Sequence, residues 1–182
     1  MRAVVVWSLV LGGVAGAEPV RDEPPRTYVN LRIGASSSVS RAFLCGEVGG
    51  FYGISLEGCG TGSGFLHDDP DPEIAHFRVK WAPISRRVGE AWISPAVGLG
   101  FAELQLGKDA PGFQFGGTDE SRTSTAGLEA SASLRLSLPA GQGIELIGDL
   151  ALSVARFPHA PELITPRDVW QPGVAITVGI GW

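Results

Sequence analysis

The sequence predicts an all-β protein, an eight-stranded antiparallel up-and-down transmembrane β-barrel. Three observations carry this. Beyond residue 28 apolar residues recur with period two and nowhere hold a helical spacing over three turns. The later strands, 94–106, 123–138 and 143–157, are far longer than the roughly 5 to 6 residues usual in soluble proteins, and exceed the roughly 9 to 11 a tilted strand needs to cross a bilayer. The connections alternate, with long links at 36–41, 60–73, 107–122 and 158–170 and short ones near 49–52, 83–90 and 139–142, so seven links join eight strands.

The elements follow in order. Met1 and Arg2, the apolar run AVVVWSLVLGGV and the small-x-small AGA at 15–17 have the form of a secretory signal peptide, so residues 1–17 are expected to be removed by cleavage after Ala17. Residues 18–26 read as a linker and 27–182 as the barrel. Loss of the leader removes one arginine and leaves 13 Lys and Arg against 19 Asp and Glu. A mature net charge of −6 argues against nucleic acid, which requires a basic footprint.

TYVNLRIGA sets Val29, Leu31 and Ile33 against Asn30, Arg32 and Gly34, and HFRVKW sets Phe77, Val79 and Trp81 against His76, Arg78 and Lys80. GLEASASLRLSL places Leu128, Ala130, Ala132, Leu134, Leu136 and Leu138 opposite a face with Glu129 and Arg135. GIELIGDLALSV does the same with Ile144, Leu146, Leu150, Leu152 and Val154 against Glu145 and Asp149. QPGVAITVGIGW ends the chain with Val174, Ile176, Val178, Ile180 and Trp182 on one face and only small residues on the other. Alternation does not say which face meets water, because a half-buried soluble sheet shows it too. Strand length and loop alternation favour apolar outside and polar inside. Trp81 and Trp182, with Tyr28 and Trp92 nearby, are expected at the short-turn end as an interface girdle, although strict alternation turns Trp92 inward unless Pro95 marks a bulge.

In these features the chain resembles the small eight-stranded outer-membrane β-barrel proteins of Gram-negative bacteria. The resemblance implies residence in the bacterial outer membrane, contact with outer-membrane lipid, and a last strand read by the barrel-assembly machinery. The sorting signal would be Val174, Ile176, Val178, Ile180 and Trp182, with Ile180 where the family often has an aromatic residue and Trp182 where it more often has Phe. A monomer is expected.

An eight-stranded barrel is just wide enough for its own side chains. Arg32, Glu47, Glu57, His76, Arg78, Lys80, Glu129, Arg135, Glu145 and Asp149 share the inward face, a near-balance of acid and base that reads as a paired interior polar network rather than a catalytic centre. Cys45 and Cys59 have inward parity and become directly opposed if their hairpin is centred at Tyr52, so an exported chain with two cysteines is expected to bond them.

The acidic stretch FLHDDPDPEIAH offers Asp68, Asp69, Asp71 and Glu73 as oxygen ligands for a cation such as Ca²⁺, but its spacing departs from the twelve-residue calcium loop and a solvated loop is the stronger reading. His67 with Asp68 or Asp69 and Ser121 makes at best a formal hydrolytic trio, and FPHAPEL presents His159 on a proline-stiffened loop. No catalytic residue, metal site or cofactor is assigned. The favoured function is a non-enzymatic barrel that presents surface loops for binding, adhesion or envelope stabilisation. The alternatives are an outer-membrane lipid-modifying hydrolase or acyltransferase, and a secreted soluble ligand-binding barrel whose apolar faces point inward.

Overall fold

The structure, a computed structural model, describes residues 29–39, 41–49, 51–62, 72–106 and 123–182. The proposed signal peptide and linker, Tyr28, the acidic stretch with His67, Asp68, Asp69 and Asp71, and Ser121 lie outside the described residues. Among the described residues nine strands form, β1 (Val29–Ser36), β2 (Phe43–Gly49), β3 (Ile54–Gly60), β4 (Glu73–Trp81), β5 (Arg86–Val88), β6 (Ala91–Gln105), β7 (Ser124–Gly141), β8 (Ile144–Arg156) and β9 (Trp170–Gly181). Each barrel strand pairs antiparallel with its chain neighbour, β9 returns to β1, and β4 pairs directly with β6. The result is a closed eight-stranded antiparallel barrel, with β5 outside the count as the arm of a short hairpin on the start of β6. The link expected at 83–90 is therefore partly strand. It turns at Gly89, whose φ of 65° suits glycine.

The register fixes the tilt. Following hydrogen-bonded partners around the barrel, Val29 leads to Val48, Leu56, Val79, Leu99, Ala130, Val154 and Pro172. Continuing the β9–β1 register three residues past Ser36 opposite Ala175 returns to position 39, ten residues further along the line of β1. A stagger of ten over eight strands sets a tilt of about 40°, within the range closed barrels adopt. Every residue on this circuit is outward and apolar.

The alternation in the sequence becomes an inside and an outside. Leu99 is 70 % exposed, as are much of Leu128, Ile176 and Val178, whereas Arg32, Glu57, Arg78 and Asp149 are buried. The β6–β7 register runs without a shift from Trp92 to Gln105, so Pro95 makes no bulge and Trp92 points inward, buried. That removes Trp92 from the expected girdle. Trp81 and Trp182 face out at the short-turn end, and Trp170 faces out at the other, beneath the Arg156 guanidinium 5.9 Å from its ring.

Inside, the long-loop end is apolar, which the alternation did not reveal. Phe43 packs with Cys45, Cys59, Ala151 and Ala175. Phe157, Ala160 and Leu163, from the link between β8 and β9, pack on Ile74, Leu104 and Ala155. The loop read from sequence as an extended presenting surface is thus pinned into the mouth of the barrel, although His159 remains exposed beside Glu162 at 3.2 Å.

Candidate functional site

The strands converge their charges on the middle of the lumen. Arg32 on β1 is the hub. Its Nη2 donates to Glu47 Oε2 at 2.9 Å and to Glu57, its Nη1 lies 3.1 Å from Asp149 Oδ2, and its Nε donates to Asn30 Oδ1 at 2.8 Å. Thr177 Oγ1 on β9 accepts from Nη1 at 3.5 Å. The hub fits because Gly34 and Gly179, the inward residues flanking Thr177 on the β1–β9 seam, leave no side chain in its way; a Cβ on Gly179 would lie 2.8 Å from Arg32 Cγ.

Around the hub, Lys80 Nζ donates to Glu57 Oε2 at 3.0 Å and lies 3.5 Å from both Glu47 and Asp149. Arg135 pairs with Glu47 and lies 3.3 Å from Asp149. Arg78 grips Glu129 through Nε at 3.0 Å and Nη2 at 2.8 Å, and reaches Glu57 through Nη1 at 3.1 Å. His76 Nδ1 shares a 2.8 Å hydrogen bond with Glu129 and its ring meets Phe43 edge-on. Isolated buried charge is expensive, and here each carboxylate has at least two cationic or imidazole partners. The structure brings nine of the ten residues predicted for the interior into this one network. Glu145 is buried nearer the short turns.

Cys45 and Cys59 form a disulfide directly across the β2–β3 ladder, with Cα atoms 4.2 Å apart, and the hairpin is centred at Tyr52. Their sulfurs and a Glu57 oxygen lie within 4.8 Å of one another, the one grouping of metal-ligand atoms among the described residues. A disulfide supplies no thiolate, and Arg32, Arg78 and Lys80 already claim Glu57, so this grouping does not suit a cation.

At the short-turn end a cavity of about 20 Å³ reaches Lys80, Arg135, Ser94 and Ser133, enough for about one water. Ser133 Oγ is buried there without a hydrogen-bond partner. At the long-loop end Glu73, Glu103, Gln105 and Ser124 have outward parity yet are buried, Glu73 accepting from Thr61. Sequence reading missed this rim because outward parity alone implies exposure. The polar types interrupting the outward rows above Phe77, Phe101 and Leu128 were the available signal that the apolar belt ends there.

Together these features describe a β-barrel with a filled, ion-paired lumen and an apolar exterior. Searches of protein-family models, curated proteins and solved structures find no match.

Proposed function

We propose that this chain is an outer-membrane barrel of the small eight-stranded kind, exported by its N-terminal leader, acting without catalysis as a rigid mount for its outside loops. The observation that carries the reading is the continuous outward apolar surface. Outward positions on β7 run Leu128 to Leu138 and on β8 Ile144 to Val154 without a charge or hydrogen-bonding side chain, while the lumen holds the charges. Ten residue steps tilted by about 40° span about 26 Å, close to the roughly 25 Å apolar band of membrane barrels. The ladder also closes, β9 pairing with β1 from Gly181 to Ala175, so backbone groups are paired around the barrel through most of that band, as hydrocarbon demands.

Barrel partners are then outer-membrane lipid and the assembly machinery, and what the loops bind is a separate question. Fractionation of the expressed protein tests the reading. It is expected in outer membranes and to migrate on gels as a compact form until boiled. Recovery as a detergent-free periplasmic monomer overturns it. Mass analysis of lipid A from strains with and without the protein tests the non-catalytic part, since a changed acylation or phosphorylation pattern would establish lipid-modifying activity.

A further inference from the structure

The apolar belt is not equally tall all the way round. On β7 the exposed apolar face spans Leu128 to Leu138, on β8 Ile144 to Val154, and on β9 Pro172 to Trp182, ten residue steps each. Among the described residues it spans Val29 to Ala35 on β1, Ile54 to Gly60 on β3, and only Phe77 to Trp81 on β4, because Ala75 above it is covered and 4 % exposed. With about 2.6 Å of height per tilted residue, the β7–β9 wall is about 26 Å tall and the β1–β4 wall about 10 to 16 Å.

The short wall has polar limits. Above Ala35 the next outward residue is Ser37, whose N–H donates to Val174 O and whose hydroxyl accepts from the Val174 N–H, both at 2.9 Å, so β1 leaves β9 there. Beyond that point the β1-side edge of β9 has no strand partner among the described residues, a backbone that hydrocarbon would penalise. Below, β2 and β3 turn at Phe51–Gly53, with Tyr52 93 % exposed.

Tilting the barrel does not reconcile the two walls. The stagger raises each register step by about 1.25 residues along the barrel axis. On that scale, counted from Val29, the midpoint of the β3 face lies about 3.5 steps up and that of the β7 face about 3.25. The two walls are centred at one height, so lowering one side only exposes the other. Hydrophobic mismatch that tilt cannot absorb is met by thinning the bilayer.

We infer that the β1–β4 face is a membrane-thinning surface, whose partner is a phospholipid layer compressed to little more than half the thickness met by β7–β9. This rests on the membrane reading above. Ala35 and Leu152 supply the test, since both are exposed, outward and at nearly equal height, about 6 and 5.5 steps above Val29.

Ala35→Cys and Leu152→Cys, each carrying a nitroxide label in protein with the native disulfide intact, are reconstituted in phosphatidylcholine vesicles with eighteen-carbon or twelve-carbon chains. Heat-dependent gel migration verifies folding. In eighteen-carbon vesicles the Leu152 label is expected to be several-fold more accessible to oxygen, relative to a water-soluble nickel chelate, than the Ala35 label. In twelve-carbon vesicles the difference shrinks. Equal depth at both sites in the thick bilayer overturns the inference while leaving the membrane reading intact. Shielding of the Ala35 label from both reagents, with spin coupling between barrels, also overturns it and shows a second copy covering the face. If neither label reads as hydrocarbon, the membrane reading itself fails.

Discussion

Glu47 on β2 and Glu57 on β3 stand directly opposite each other in the barrel wall, two buried carboxylates in one register pair. Like charges so placed repel. They are held by Arg32 and Lys80, each of which reaches both. The fold therefore depends on a cation between two acids drawn from different hairpin arms.

Arg32→Met is expected to cost about 3 to 5 kcal/mol, because it keeps the volume and leaves the two carboxylates and Asp149 short of a partner. Adding Glu57→Gln should restore part of that loss, since the repulsion is then relieved. Urea unfolding in detergent, followed by the heat-modified gel shift, measures both. Equal stability of Arg32→Met and the parent would show that the network does not hold the barrel.

The disulfide closes a segment of 15 residues counting both ends, so Cys45→Ala with Cys59→Ala should lose about 3 kcal/mol through the unfolded chain. The pair packs against Phe43 and adds buried apolar contact that alanine keeps only in part. Under reducing conditions the parent should approach the double variant. Two alkylatable thiols in unfolded, unreduced protein from the native host would contradict the bond.

Much of this architecture is legible in the sequence because a barrel wall has a strict period. Parity from Val29, Leu128 or Ile144 assigns inside and outside over long runs, and the same parity brings Arg32, Glu57, Arg78 and Asp149 together before any contact is seen. Parity is silent on height. It does not distinguish Phe77, in the belt, from Glu73, which shares its face but lies in the covered rim. Nor does it show that Phe157 and Leu163 fold into the mouth, since loop residues carry no period, whereas it does turn Trp92 inward, and the girdle placement failed because Pro95 makes no bulge to reverse that parity.

Glycine position gives a contrast that tests the facing directly. Gly148 is outward with nothing within 4 Å of a built Cβ, whereas a Cβ on inward Gly100 would lie 2.8 Å from Arg78 Cα and strike the Phe77 carbonyl. Gly148→Leu should be neutral or stabilising in lipid vesicles, adding side chain to the belt. Gly100→Ala should lose about 1 to 3 kcal/mol in any host, the usual cost of overpacking. Equal effects of the two would mean that the inside and outside of β6 and β8 are not distinguished as described.

On β9 adjacent residues separate lipid burial from lumen packing. Val178 is outward and 61 % exposed, and Thr177, one residue earlier, is inward and in contact with Arg32. Val178→Arg should cost roughly 2 to 4 kcal/mol in a bilayer, the range for a charge near the midplane, and much less in a detergent micelle that deforms around it. Thr177→Arg meets a different penalty, because it adds volume and a second positive charge beside Arg32 in a filled lumen, and its loss should be similar in micelles and bilayers. Folding yields of both variants in vesicles and in detergent, each against the parent, give the comparison. A penalty for Val178→Arg that is as large in detergent as in lipid would assign the outward face of β9 to protein contact rather than to membrane, and with it the basis for placing this barrel in a bilayer would be lost.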